Sequence, residues 1–214
     1  LVYYPNQNQG STLKPAKVEP LIIGGHPEDP AKYTRAILYF TDGATLRFND
    51  LRRFGWLRLF NAQEIAKLHG HHGPEPLAPS FTIQTFHAIL NHYPKRKLKV
   101  LLLDQTLIAG LGNIYVDEAC FAARIKPNRR VATLTLSETK NLFVAIKRIL
   151  KLSIKHGGTS SRDYRRSDGS RGGFAAYLKV YGRAKQKCKR CKINLIQKTK
   201  LAGRGTHFCP QCQK

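Results

Sequence analysis

The sequence contains no methionine, and only 13 of its 214 residues are acidic. Each scarcity excludes something. A primary translation product starts with Met, whereas this chain begins at Leu1, so it is expected to be a processed, trimmed or N-terminally incomplete product. Set against 37 Lys and Arg, the few carboxylates leave a formal net charge of +24. Self-repulsion on that scale destabilises a compact chain, which argues against a mere solubility device and for a polyanionic partner. Leu1 to Pro20 lacks the apolar core of an export signal, and no apolar run is long enough to span a membrane. No basic amphipathic helix or lipidation signal stands out either, so nucleic acid is favoured over a membrane surface. Cysteines number only five, an odd count in a chain without an export signal, which argues against a disulfide framework.

Four of those cysteines carry the strongest signal. They read Cys188-Lys-Arg-Cys191, then seventeen residues, then Cys209-Pro-Gln-Cys212. Two tight turns, each offering two thiolates, suit one tetrahedral zinc ion, and the intervening span is long enough for a β-hairpin. Cys120 stands apart in an apolar, helix-like stretch and is expected to be a buried small hydrophobe.

The chain reads as three parts. In residues 1–72, Arg35 to Phe40 and Ala44 to Phe48 are strands around an Asp42-Gly43 turn, Trp56 to Phe60 alternates like a third strand, and Asn6 to Pro30 reads as loop. Gly73-Pro-Glu-Pro76 is a break. Residues 73–176 then read as helical. Ser80 or Thr82 caps a helix to about His92, Lys97 to Gln105 forms a second, and Asn113 to Ala123 a third. Ser137 caps a fourth, with Leu142, Ile146, Ile149, Leu150 and Ile154 on one face, and Gly157-Gly158 ends it. Residues 159–174, rich in Ser, Gly and Arg, read as a flexible loop, and residues 177–214 form the zinc module.

Gly110-Leu-Gly112 joins two helices. Glycines there allow a phosphate to approach backbone N–H groups at the start of the next helix, where the helix dipole also favours an anion, and Asn113 can donate its amide to the same group. Lys95, Arg96, Lys97 and Lys99 lie just upstream. A tightly packed helical hairpin would need the same turn, so spacing alone leaves both readings open.

The stretch LLLDQTLIAGLGNIYVDEACFAARIKP closely resembles the helix–two-turns–helix motif of the formamidopyrimidine-DNA glycosylase and endonuclease VIII family. Asp50-Leu-Arg-Arg-Phe-Gly55 resembles that family's DPRRFG loop, and His72-Gly-Pro-Glu-Pro-Leu77 its LGPEPL stretch. Gly157-Gly-Thr, Arg162-Asp-Tyr, Val180-Tyr-Gly-Arg183 and Gly203-Arg-Gly-Thr-His-Phe-Cys-Pro-Gln-Cys-Gln213 recur in the expected order. The resemblance spans about residue 30 to the C-terminus and favours the formamidopyrimidine branch, which excises oxidised purines.

The resemblance implies an α+β architecture: the remainder of a truncated N-terminal β-sandwich domain over residues 1–72, a helix–two-turns–helix domain over 73–176, and a β-hairpin zinc finger over 177–214. It implies a bifunctional DNA glycosylase and AP lyase that removes formamidopyrimidine and 8-oxoguanine and nicks by β,δ-elimination. The partner is damaged duplex DNA, bound by a monomer in a bacterial cytoplasm, with one structural zinc ion on Cys188, Cys191, Cys209 and Cys212. By resemblance, Arg52 fills the gap left by the extruded base, with Arg53 in the same loop, and Phe54 is the aromatic wedge; a planar cation and a ring are suited to those tasks. Lys99, Gly112 and Asn113 resemble the phosphate contacts of the helical motif, with Lys95 beside them. Arg204 resembles the zinc-finger arginine that grips phosphates and assists δ-elimination, and residues 159–174 resemble the loop that closes over the lesion.

The departures matter equally. Leu51 replaces a usual proline, and Tyr33 replaces a common histidine at a DNA-facing position. The family's catalytic proline follows the initiator Met as a free secondary amine, beside a glutamate and with a lysine on a later turn; none of these is among the 214 residues. Pro5 cannot substitute, because its nitrogen lies in a peptide bond. These residues alone are therefore expected to bind DNA without excising bases. The rival reading is a non-enzymatic zinc-ribbon nucleic-acid binder, which would have no use for an Arg52-Arg53-Phe54 wedge.

Overall fold

The computed structural model describes residues 2–4, 33–50, 53–159 and 172–214. The chain divides into two units, Leu1–Leu59 and Phe60–Lys214.

The first unit holds an antiparallel sheet of β1 (Val2–Tyr4), β2 (Thr34–Tyr39) and β3 (Thr45–Asn49), in the order β1-β3-β2. The β2–β3 hairpin closes at Asp42-Gly43, where Asp42 Oδ1 accepts the Ala44 N–H and Gly43 takes φ +81°. Trp56 to Phe60 does not form the expected strand. The described sheet consists of β1, β3 and β2, and Leu59 is 93% exposed, so the alternation of this segment has no buried face to serve.

In the second unit, α1 (Ala62–Gly70) was not anticipated. It starts at a reciprocal capping box: Asn61 Oδ1 accepts the Glu64 N–H, and Glu64 Oε2 accepts the Asn61 N–H. The next helices are α2 (Ile83–His92), capped by Thr82, α3 (Leu98–Leu102), α4 (Asn113–Ala122) and α5 (Leu136–Lys155). Short 3₁₀ turns occupy Val131–Thr133 and Phe174–Tyr177. The core gathers Phe81, Phe86, Leu98, Leu101, Leu102, Val116, Cys120, Leu142 and Ile146, all buried. Burial pushes the Cys120 thiol well above the usual range, consistent with a packing role.

Three expectations are corrected here. Thr135, not Ser137, caps α5, because Thr135 and Glu138 exchange hydrogen bonds at the helix start. Ile154 is 67% exposed, although Leu150 one turn earlier and the adjacent Ser153 are buried. The segment 159–174 does not start and end as free loop. Thr159 pairs with Gly173, and Phe174 is buried against Ile149 and Leu178; residues 160–171, including Arg162-Asp-Tyr, lie outside the described residues.

The zinc module is a ribbon whose strands β4 (Gln197–Leu201) and β5 (Arg204–Phe208) pair from Gln197 with Phe208 to Leu201 with Arg204. Phe121 of α4 packs with Val180, Ile196, Cys188 and Cys209, so ribbon and helices share apolar surface.

Candidate nucleic-acid interface and metal centre

Two turns lead into α4, and a single side chain ties them together. Gln105 donates from Nε2 to the carbonyls of Leu103 and Leu111, and its Oε1 accepts the Gly110 N–H. Gly110 takes φ +78°, a left-handed conformation costly for a residue with Cβ. Gly73 fills another need: a Cβ there would meet the Leu107 carbonyl carbon at 2.3 Å, so the 73–76 break can lie flat on the turn. The result is an exposed Gly112 at the N-cap of α4. The first N–H groups of that helix have no helical partner, and its first turn holds no carboxylate, so the end is open to an anion.

The ribbon hairpin is fastened to this helix end. Asn113 Nδ2 donates to the Gly205 carbonyl at 3.1 Å, which leaves its second amide hydrogen for another acceptor. Lys99 Nζ donates to the same carbonyl at 2.9 Å and to Asp117 Oδ1 at 2.6 Å. Asp117 Oδ2 accepts the His207 N–H at 2.8 Å and lies 3.3 Å from His207 Nδ1. The neighbouring Arg204 is exposed on the hairpin, just after Ala202 and Gly203 at positive φ. Gly112, Asn113, Lys99 and Arg204 therefore belong to one constellation, with Lys95 exposed on the turn between α2 and α3.

Lys99 is a correction. It was expected at a phosphate, yet its side chain is fully buried and its ammonium already meets Asp117 and Gly205. Burial lowers its pKa, opposed by Asp117 and aided by the charge of Arg204. It fastens the surface that other residues present. Asp117, Glu118 and His207 were not singled out from the sequence. Glu118 is buried and accepts the N–H groups of Lys179, Val180 and Tyr181 at 2.9–3.0 Å, pinning the entry to the ribbon; burial pushes its carboxyl up against the pull of those N–H groups.

The first unit carries the other expected contacts. Asp50 organises their loop, accepting the Arg53 N–H at 2.9 Å and the Gly55 N–H at 2.5 Å. Arg53 takes φ +56°, and a Cβ on Gly55 would meet the Phe48 ring at 2.5 Å. Phe54 is 75% exposed at the loop tip, and Tyr33 is also exposed. Arg52 and Leu51 lie outside the described residues.

The four ribbon cysteines fit zinc by distance. Their Sγ atoms all lie within 4.8 Å of one another, with Cys188 to Cys212 and Cys191 to Cys209 both at 3.8 Å. A tetrahedron with Zn–S bonds of about 2.3 Å has edges of about 3.8 Å, whereas a disulfide needs about 2.05 Å. The N–H groups of Asn194 and Ile193 draw the Cys191 thiol down to about 6, while burial and the neighbouring sulfurs push Cys212 up to about 12. Four clustered thiolates need a cation between them, and four protein ligands close its coordination sphere, as in a structural zinc site.

Residues 72–165 match the model described as the formamidopyrimidine-DNA glycosylase H2TH domain, and residues 185–214 match that of the zinc finger found in FPG and IleRS. The chain is 43% identical over 185 residues to formamidopyrimidine-DNA glycosylase of Roseiflexus sp. (strain RS-1), covering 86% of this chain and 67% of that protein. It is 42% identical over 193 residues to the Listeria monocytogenes enzyme of the same name (serovar 1/2a, strain EGD-e), covering 87% and 68%. The chain thus spans about two thirds of the length of these curated relatives. Among solved structures, MutM (Fpg) of Thermus thermophilus superposes with a TM-score of 0.76 at 41% identity, covering 90% of this chain and 73% of that one. Lactococcus lactis Fpg in complex with abasic-site DNA gives 0.77 at 40% identity, covering 91% and 70%.

Proposed function

The chain belongs to the formamidopyrimidine-DNA glycosylase family, and we propose on that premise that it serves base-excision repair by gripping damaged duplex DNA with its helical and zinc-ribbon surfaces. The observation that carries this reading is the bond from Asn113 to the Gly205 carbonyl, which sets the open end of α4 beside the hairpin bearing Arg204. Helix N–H groups, a free amide hydrogen and a guanidinium at one place suit consecutive phosphates of one strand. Phe54 and the arginines beside it supply the plug for an extruded oxidised purine, whose flipping costs a few kcal/mol. Arg204 is assigned the phosphate grip that assists strand cleavage. The zinc ion holds the ribbon in shape and takes no part in the chemistry.

In the complete reaction of this family an amine attacks the sugar carbon beneath the lesion, the base leaves, and elimination cuts the strand. Glycosylase and AP lyase activity are assigned to the full-length context. These 214 residues by themselves contain no N-terminal proline and are assigned binding alone.

Fluorescence anisotropy with labelled duplexes tests the reading. Zinc-loaded protein should bind a duplex holding an abasic analogue opposite cytosine more tightly than its intact counterpart, and borohydride should trap no covalent complex. Equal affinity for both duplexes would favour the rival, a zinc-ribbon protein that reads only the backbone. A trapped adduct would overturn the assignment of binding alone.

A further inference from the structure

A second concave surface lies away from the helix end just described. A cavity of about 470 Å³ opens between α4, α5 and the first cysteine turn of the ribbon. Its floor is apolar: Phe121, Ile149 and Phe174, all buried. Its rim is cationic, with Arg148 from α5, Lys179 from the ribbon entry, and Lys189 and Arg190 from the cysteine turn. Among the described lining residues the one carboxylate, Glu118, is occupied by three backbone N–H groups. Arg190 stacks its guanidinium over Phe121 at 4.0 Å, and among the described residues its buried Nη1 has no hydrogen-bond partner. The ring fixes the plane of this guanidinium and so the place of its charge at the cavity wall.

We propose that this cavity is a docking site for an acidic peptide segment of a partner protein that carries one aromatic or large aliphatic side chain. Charge complementarity selects an anion, since four cations converge there and the described lining offers no free acid. The apolar floor selects a peptide side chain over duplex DNA, whose bases are paired and stacked inside a helix too broad to enter a concave pocket. A volume of this size accommodates one large side chain and its neighbours. Phe121 stands eight residues after Asn113 on α4, about 12 Å further along the axis, so a peptide here leaves the α4 N-terminus open to DNA.

The test is fluorescence polarisation of a labelled ten-residue peptide of Asp, Glu and Ser bearing one Phe, titrated with the zinc-loaded chain. Saturable binding is expected. It should weaken at least about tenfold when the Phe is replaced by serine, and likewise in Arg148→Glu and in Lys179→Glu. Both variants lie outside the cysteine turns, and unchanged zinc content with duplex affinity within about twofold would show them folded. Absence of saturable binding, or binding indifferent to the Phe and to both variants, overturns the proposal. So does competition by oligothymidine accompanied by loss of oligothymidine binding in the same variants, which would make the cavity a single-strand surface.

Discussion

Replacing Asp117 with Asn removes one charge from a pair in which both side chains are fully buried. Asp117 accepts from Lys99 Nζ at 2.6 Å and from the His207 N–H at 2.8 Å. An amide can satisfy one of these donors, but its own N–H₂ then faces the other. Breaking a buried pair by removing one partner costs about 3–5 kcal/mol, because the remaining charge is left uncompensated. That is a large share of the roughly 5–15 kcal/mol that holds a domain together. The pH dependence has a definite sign. Burial already lowers the Lys99 pKa and Asp117 opposes that shift, so Asp117→Asn drives it lower still. A lysine whose folded pKa lies below its unfolded value sheds its proton first in the native state, so stability rises as pH climbs from the folded pKa to the ordinary lysine range. Urea denaturation of the zinc-loaded protein should show a deficit of about 3 kcal/mol or more at pH 7, shrinking toward pH 9. A deficit below about 1 kcal/mol at pH 7 would refute the reasoning. The double change Lys99→Met with Asp117→Leu should recover part of the stability, the His207 N–H losing its acceptor, and should weaken DNA binding, because Asn113 alone would then hold the Gly205 carbonyl.

Three further outcomes are expected. Chelating the zinc ion should unfold the ribbon and abolish duplex binding, since metal affinity of about 10–16 kcal/mol is folding free energy for such modules; spectroscopy and anisotropy on one sample check it. Arg204→Ala should weaken binding to every duplex alike and lower the slope of log affinity against log salt by roughly 0.9, as loss of one phosphate contact requires. Glu138 has its pKa lowered by Arg129, whose Nη1 lies 2.5 Å away, so its stabilisation is complete above the ordinary carboxylate pKa and is lost as pH falls through the depressed value. Glu138→Gln should therefore be less stable at neutral pH, by about 1 kcal/mol, and converge with the parent in acid.

Features set by local chemistry were legible in the sequence. The CxxC pairs, the Asp42-Gly43 hairpin, Thr82 at a helix start and Asn113 at another all follow from residue type and short spacing. What escaped depends on distant partners. Lys99 reads as one more surface cation until Asp117, eighteen residues on, and Gly205, over a hundred on, are seen to enclose it. Trp56 to Phe60 alternates, but alternation makes a strand only where a neighbouring strand accepts it. Asp117-Glu118 did offer a signal: two of only 13 acids, adjacent, inside the otherwise apolar run of α4. Carboxylates in that setting are buried with partners rather than solvated. Asn61 with Glu64 three residues later was also readable as a helix start.

The last residues of the chain reach back into its middle. Gln213 accepts the Cys209 N–H and donates to the Ile125 carbonyl, both at 2.8 Å, while Lys214 exchanges backbone hydrogen bonds with Arg124 and Lys126. Synthesis runs from the N-terminus, at roughly 5–20 residues per second. The helices therefore leave the ribosome with the Ile125 turn unfinished and one Asp117 oxygen awaiting His207, and they are completed only when residues 207–213 emerge. A nascent chain stalled within the ribbon would expose the apolar flank of Phe121 along with those two unmet acceptors, the kind of surface a chaperone recognises.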